Sequence, residues 1–330
     1  MKTIITSLLL LLAVNTSWSQ FAPALGQPGA IAFHRDSSAI VAWATTVEID
    51  RGLMQINIDT IGDAWAGANE DALGRAGDNP TVSLGDGGKA TLGFEFPIKD
   101  GPGYDFAVFE NSFDGLFLEL AFVEVSSDGE RFVRFPALSL TDTTTGISAF
   151  GYTETSKVHN LAGKYPMHYG TPFDLAELQD SAGLDIQSVR FVRIVDVIGT
   201  MLPEFASRDA EGRKVADPWP TPFPSSGFDL DAVAVMHNTD PASQENLASA
   251  FDIFPQPCSD KAFLRITEPT WKQSVTVKLL DMSGRNIQQF GSFSPEGIIA
   301  IDLTALNAGT YIIELEAMQR VYRKLCVKGF

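Results

Sequence analysis

Apolar and polar residues alternate every second position through much of this chain, and a period of two predicts strands. ATLGFEF (90–96) alternates, and GDGG (85–88) ahead of it predicts a hairpin turn. YDFAVFEN (104–111) follows the turn KDGPG (99–103). LFLELAFVEVSSDGERFVRF (116–135) reads as one long strand, a Ser-Asp-Gly turn and a returning strand. VRFVRIVDV (189–197) alternates strictly, and FDLDAVAVMH (228–237) closes the region. One segment departs from this pattern. TPFDLAELQD (171–180) predicts a helix, with Thr171 as cap, Pro172 at the first helical position and Asp174 and Glu177 at the amino end. Many strands, long irregular loops and almost no helix predict an all-β protein, with a jelly-roll β-sandwich over 20–237.

NTDPASQENLASA (238–250) is polar and small, and it predicts a linker. The alternation then resumes on a shorter scale. FDIFPQPC (251–258) is a strand stopped by two prolines, and VTVKLLDMSGRNI (275–287) is two strands around a Met-Ser-Gly-Arg turn. IDLTALNAGTYIIEL (301–315) is a turn and a strand, and RVYRKLCVK (320–328) is a last strand. The tail 251–330 therefore predicts a second, small Ig-like β-sandwich.

The order of these four tail segments closely resembles the C-terminal sorting domain of the type IX secretion system of Bacteroidetes. Gln256 stands where that family usually has Asn between the two prolines. The resemblance implies export to the cell surface by the type IX machinery, with the tail then removed or joined to a surface glycolipid. The amino end agrees. Lys2, the apolar run IITSLLLLLAV (4–14) and small Ser17 and Ser19 before Gln20 predict a signal peptide over 1–19. No Cys near Gln20 offers a lipid anchor, and no later apolar run approaches the ~18 residues of a membrane helix. VEVSSDGERFVRF (123–135) with SVRFVRIVDV (188–197) resembles the discoidin and galactose-binding jelly rolls. The run 77–111 with GFDLDAVAV (227–235) resembles a family of bacterial cell-surface proteins to which no activity is assigned.

Charge changes the picture. The formal net charge is −17. The stretch 20–237 has fourteen Lys/Arg against thirty-one Asp/Glu, whereas the tail has nine against eight. Such a passenger is excluded as a nucleic-acid binder, which needs basic surface. Its acidic clusters suit Ca²⁺, which takes oxygen ligands. Asp229 and Asp231, two apart on the last strand, share a face that continues as Val233 and Val235. Bare charge at such a place is costly. A cation resolves the cost, with Asp105, Glu110 and Asn111 of YDFAVFEN as further oxygen ligands. The bland alternative pairs these acids with Arg190, Arg193 or backbone amides.

Two loops carry aromatic residues among prolines. KYPMHYGTPF (164–173) has Tyr165, His168 and Tyr169, and DPWPTPFPSSGF (217–228) has Trp219 and Phe223. Stiff loops hold such rings exposed at little entropic cost, which suits stacking on sugars or other flat small ligands. The alternative is that they fold back over the core. No nucleophile elbow, zinc-protease, Walker or dinucleotide motif is present. His34, His159, His168 and His237 are scattered, and the only cysteines, Cys258 and Cys326, lie in the tail, where a disulfide between them is one option. These observations favour a ligand-capturing surface protein without catalytic residues. Two alternatives are a polysaccharide hydrolase using a carboxylate pair and a structural or adhesive surface protein.

Overall fold

The computed structural model describes residues 21–240, 251–267, 274–294, 297–317 and 320–329. The predicted signal peptide 1–19 and most of the predicted linker lie outside these residues. The strands of 20–237 form two six-stranded antiparallel sheets and a two-stranded ribbon of Leu138–Ser139 with Val158–His159. In the first, Tyr169–Phe173, Phe106–Glu110 and Asp229–Val235 lie side by side. In the second, Ala121–Ser126, Val189–Asp196 and Lys89–Ile98 do the same, with Thr46–Asp50 beyond.

The main core fills the space between the sheets. Phe106, Val108, Leu230, Val233 and Val235 from one meet Leu92, Val123, Val125, Val192 and Ile194 from the other. From Lys89–Ile98 onward the long strands alternate between sheets, so each connection between them crosses the sandwich. Outer faces are covered too. Ala107, Phe109, Ala232 and Ala234 pack under Phe33, Ile40 and Trp43, and Leu120, Phe122 and Val197 pack under Val158 and Leu161. This explains why Phe106–Glu110 is buried at every position instead of at alternate ones.

Four local expectations are corrected. GDGG is not a hairpin turn. The strand before it, Val82–Ser83, belongs to the first sheet and Lys89–Ile98 to the second, so the glycines form a crossover. The crossover is too crowded for side chains: a Cβ on Gly88 would sit 1.9 Å from the Leu84 carbonyl oxygen. The 171–180 helix is also replaced. Thr171, Pro172 and Phe173 pair with Val108, Ala107 and Phe106, and only a 3₁₀ turn at Leu175–Leu178 remains. Asp174, not Thr171, caps it by accepting from the Ala176 N–H. Strand pairing outweighed a weak helix preference. The long strand expected from 116 begins only at Ala121. Finally, the domain runs slightly past 237, because the Thr239 N–H donates to the Pro97 carbonyl and Asn238 bridges Ile98.

The tail builds its own sandwich of a three-stranded and a four-stranded antiparallel sheet around Phe251, Leu264, Val277, Ile301, Ile313 and Leu315. The Met-Ser-Gly-Arg turn forms as expected, with the Asp281 carboxylate accepting from the Ser283 and Arg285 amides. Gln256 fits its position. Its amide donates to the Leu325 carbonyl and accepts from the Val327 N–H, tying the first strand to the last. Cys258 and Cys326 are buried free thiols with their sulfurs 3.5 Å apart.

Candidate functional site

Strand register gathers acids at one end of the passenger sandwich. In the first sheet Glu110 opposes Leu230 and faces the main core with it, while the neighbouring Asp229 faces the outer side of the same sheet end. In the second sheet Asp196 opposes Ala121, just after Glu119. Asp217 joins them by accepting from the Leu120 N–H at 2.8 Å. Asp86 comes from the glycine crossover and accepts from the Ile56 N–H and from Trp219 Nε1. Asp196 accepts from the Gly87 and Phe228 amides. Gly227 makes that possible, because a Cβ there would lie 2.8 Å from Asp196 Oδ1.

These carboxylates lack cations. None of Asp86, Glu110, Glu119, Asp196, Asp217 and Asp229 forms an ion pair with a described residue. Burial pushes Glu110 and Glu119 well above the usual carboxylate range, and Asp229 beside each pushes further. Burial and then Asp196 do the same to Asp217. Asp196 itself is pushed up to about 8 by burial and by Asp86. Arg51 acts on Asp229 from a distance, but its guanidinium donates to the Ala66, Gly67 and Ser83 carbonyls. Chemically, such a group of carboxyls retains protons or takes up a cation.

Exposed aromatic rings surround the same end. Phe150 is 73% exposed and stacks on Phe223, with ring centroids 6.3 Å apart. Phe117 is also in ring contact with Phe150, with centroids 6.3 Å apart. Trp65, 68% exposed, is held next to Phe223 by the Trp65 and Ala66 amides donating to the Pro224 carbonyl. Tyr152 and Leu116 extend the strip through the Thr153 N–H to the Leu116 carbonyl. Tyr152 also walls a pocket lined by Thr141, Asp142, Thr145, Ile147 and Lys157.

The predicted site residues divide. Asn111 lies with Asp229, to whose Oδ2 its Nδ2 donates at 3.2 Å, whereas Glu110, opposite Leu230, faces the core side of the strand. Asp231 accepts from the Gly77 N–H. A bulge at Asp231, where Leu230 and Ala232 face Glu110 and Phe109, switches the strand's faces. The face of Asp229 therefore continues as Ala232 and Ala234, and Val233 and Val235 face the main core with Leu230. Asp105 lies at the far end of Phe106–Glu110, about 16 Å away at 3.3 Å per residue. There it groups with Asp100 and Asp174, with carboxylate oxygens within 4.8 Å of one another. Arg193 faces outward, stacked on Phe132 and paired with Glu124, so it does not serve the acids of the last strand.

Among the aromatics, Phe223 is exposed as expected and Trp219 is half-buried against Asp86. Tyr165 is 1% exposed, its hydroxyl accepts from the Ile31 N–H, and burial pushes it up to about 12. His168 and Tyr169 are half-buried, Tyr169 edge-on to His34. Burial lowers the pKa of His168. Sequence reading missed Asp86, Glu119, Asp196 and Asp217 among the acids and Trp65, Phe117, Phe150 and Tyr152 among the rings. Asp196 did carry a signal, as a carboxylate in register with Val192 and Ile194.

The described residues thus form two β-sandwiches, a larger one built by the passenger and a smaller one built by the tail. Residues 252–328 match the secretion system C-terminal sorting domain, so the tail is a type IX sorting domain and the protein is exported to the cell surface. No helix of the described residues is long and apolar enough to cross a membrane. No curated protein matches the chain. Among solved structures, it is similar to the spore cortex lytic enzyme SleM of Clostridium perfringens at 11% identity and a TM-score of 0.18, covering 32% of this chain and 35% of that one. It is similar to the Ruminococcus gnavus beta-glucuronidase at 16% identity and a TM-score of 0.18, covering 74% and 35%. For a beta-1,2-glucanase from Parabacteroides distasonis the values are 9%, 0.23, 91% and 39%. The chain thus spans little more than a third of the length of these structures, and likenesses this slight carry no argument about activity.

Proposed function

We propose that the exported passenger captures a carbohydrate, or another small ligand with a flat face, at the aromatic end of its sandwich. The observation that carries this reading is the strip Phe117–Phe150–Phe223 beside a pocket lined by Thr141, Asp142, Tyr152 and Lys157. Flat apolar faces stack on rings, and hydroxyls need nearby polar partners. Exposed rings in contact with one another cost solubility, and such patches mark binding sites. Residues 1–19 direct the first export step in this reading, and the sorting domain directs the second.

The acids under the strip favour binding over hydrolysis. Glu110 and Glu119 are 2% and 7% exposed, and a general acid must reach the bond it protonates. A glycan array with the full-length chain tests the proposal, followed by a reducing-sugar assay on each hit. The expected result is binding without turnover, lost at least tenfold in Phe150→Ala/Phe223→Ala. Turnover would establish the hydrolase alternative. Binding unchanged in the double variant would remove the strip from the site, and silence in both assays would favour an adhesive role.

A further inference from the structure

Exported chains leave the reducing cytosol, and thiols held against each other outside it are open to oxidation. Cys258 and Cys326 are the only cysteines of the chain, so neither has another partner within it. Both belong to the apolar core of the tail, at 2% and 0% exposure, with their sulfurs 3.5 Å apart. The backbone already aligns them. The Cys258 N–H donates to the Val327 carbonyl, and the Gly329 N–H donates to the Cys258 carbonyl. Gln256 fastens the same two segments through Leu325 and Val327. Neighbouring strands lie about 4.8 Å apart, and disulfides bridge Cα atoms about 4.4 to 6.8 Å apart. A zinc ion is a poor alternative occupant, because it takes four ligands and the tail has no histidine.

We propose that Cys258 and Cys326 form a disulfide during export, which ties the segment after the tail's first strand to its last strand, Arg320–Lys328. The oxidant is an external disulfide, carried by a thiol oxidoreductase or a small molecule. One cysteine thiolate attacks it, forming a mixed disulfide and releasing a first thiol. The other thiolate attacks the mixed disulfide, forming the Cys258–Cys326 bond and releasing a second thiol. Two cysteine thiols are oxidised and one external disulfide is reduced, and the two protons end on the released thiols. Burial pushes the Cys326 thiol up to about 12, and a buried thiol is a poor nucleophile. The exchange therefore precedes the seating of the last strand. The bond joins residues 68 positions apart and encloses every strand from Lys261–Ile266 to Gly309–Ala317. Cross-links that close long loops restrict the unfolded chain most, and a sandwich this small has little core to rely on.

Peptide mapping of the full-length chain, refolded from urea in a mixture of oxidised and reduced glutathione, tests the bond. The expected result is one linked pair of peptides carrying Cys258 and Cys326, two hydrogens lighter than the reduced pair. No thiol should then alkylate after denaturation. Melting compares the oxidised chain with and without dithiothreitol, and the tail's transition should fall by about 10 °C or more on reduction. Cys258→Ala/Cys326→Ala should melt equally in both conditions, which separates the bond from the packing of two sulfurs. If that variant does not fold, the map and the two melts of the unaltered chain decide alone. Two alkylatable thiols after refolding would overturn the proposal. So would a bond to a second chain in place of the internal one, or a tail transition indifferent to dithiothreitol.

Discussion

Asp105 and Glu110 flank or end one five-residue strand, and both are almost fully buried, yet their surroundings are opposite. Asp105 receives two backbone amides and His237, and it joins the 3₁₀ turn, the 99–103 turn and the last strand. Glu110 keeps an oxygen without a partner among other carboxyls. The first arrangement holds the fold together. The second keeps an unmet electrostatic demand, and rings collect around it on the surface. Burial alone does not distinguish an anchored acid from an unsatisfied one. The list of donors does.

Four measurements would break or sharpen this contrast. The largest effect is expected for Asp105→Ala, which strands two amides and a histidine. It should destabilise by about 3 to 5 kcal/mol in denaturant titration. A loss below about 1 kcal/mol would contradict its structural role. Next comes pH. An acid whose folded pKa is raised binds protons more readily in the folded state, so its contribution is full below about pH 4 and is lost as pH rises towards its folded value. For Asp196 that window ends at about 8. His34, His159 and His168, lowered mainly by burial, act in the opposite sense near neutrality. The informative quantity is therefore the difference between the chain and Asp196→Asn in EDTA. That difference should grow in favour of the variant from pH 5 to pH 8, and a flat difference would remove Asp196 from this account. Third, Glu110→Gln should leave stability in EDTA unchanged or raise it by up to about 1 kcal/mol, the reverse of Asp105→Ala. A loss of about 2 kcal/mol or more would show that Glu110 has the partners Asp105 has. The smallest effect belongs to Phe150→Ala, which should shift stability by less than about 0.5 kcal/mol, because the ring is mostly in water. A larger loss would make the strip part of the core.

Much of the frame was legible in the sequence. Period-two segments became the long strands, and the four tail segments became strands within the matched sorting domain. The neighbourhood of Asn111 and Asp229 was legible because they sit at the shared end of adjacent strands. What was hidden depended on the third dimension. The bulge at Asp231 leaves no mark in the alternation of FDLDAVAV, and it decides which residues the acids accompany. GDGG looks like a hairpin from either side, and only the sheet membership of its flanks shows a crossover. Glu119 sat inside an expected strand that the Asp217 contact at Leu120 helps to replace with a loop. Tyr165 carried the composition of an exposed loop but reaches back to Ile31.

The crossing of the chain between sheets has a kinetic consequence. Gly77 meets Asp231 across a separation of 154 residues, and Ile31 meets Tyr165 across 134. Contacts this distant in sequence cannot form until most of the passenger has been made, and β-sandwiches closed by them fold slowly. A newly made chain of this kind remains an open thread for longer than a helical bundle of equal length. The last passenger strand, Asp229–Val235, is accordingly among the last parts able to lock between its neighbours.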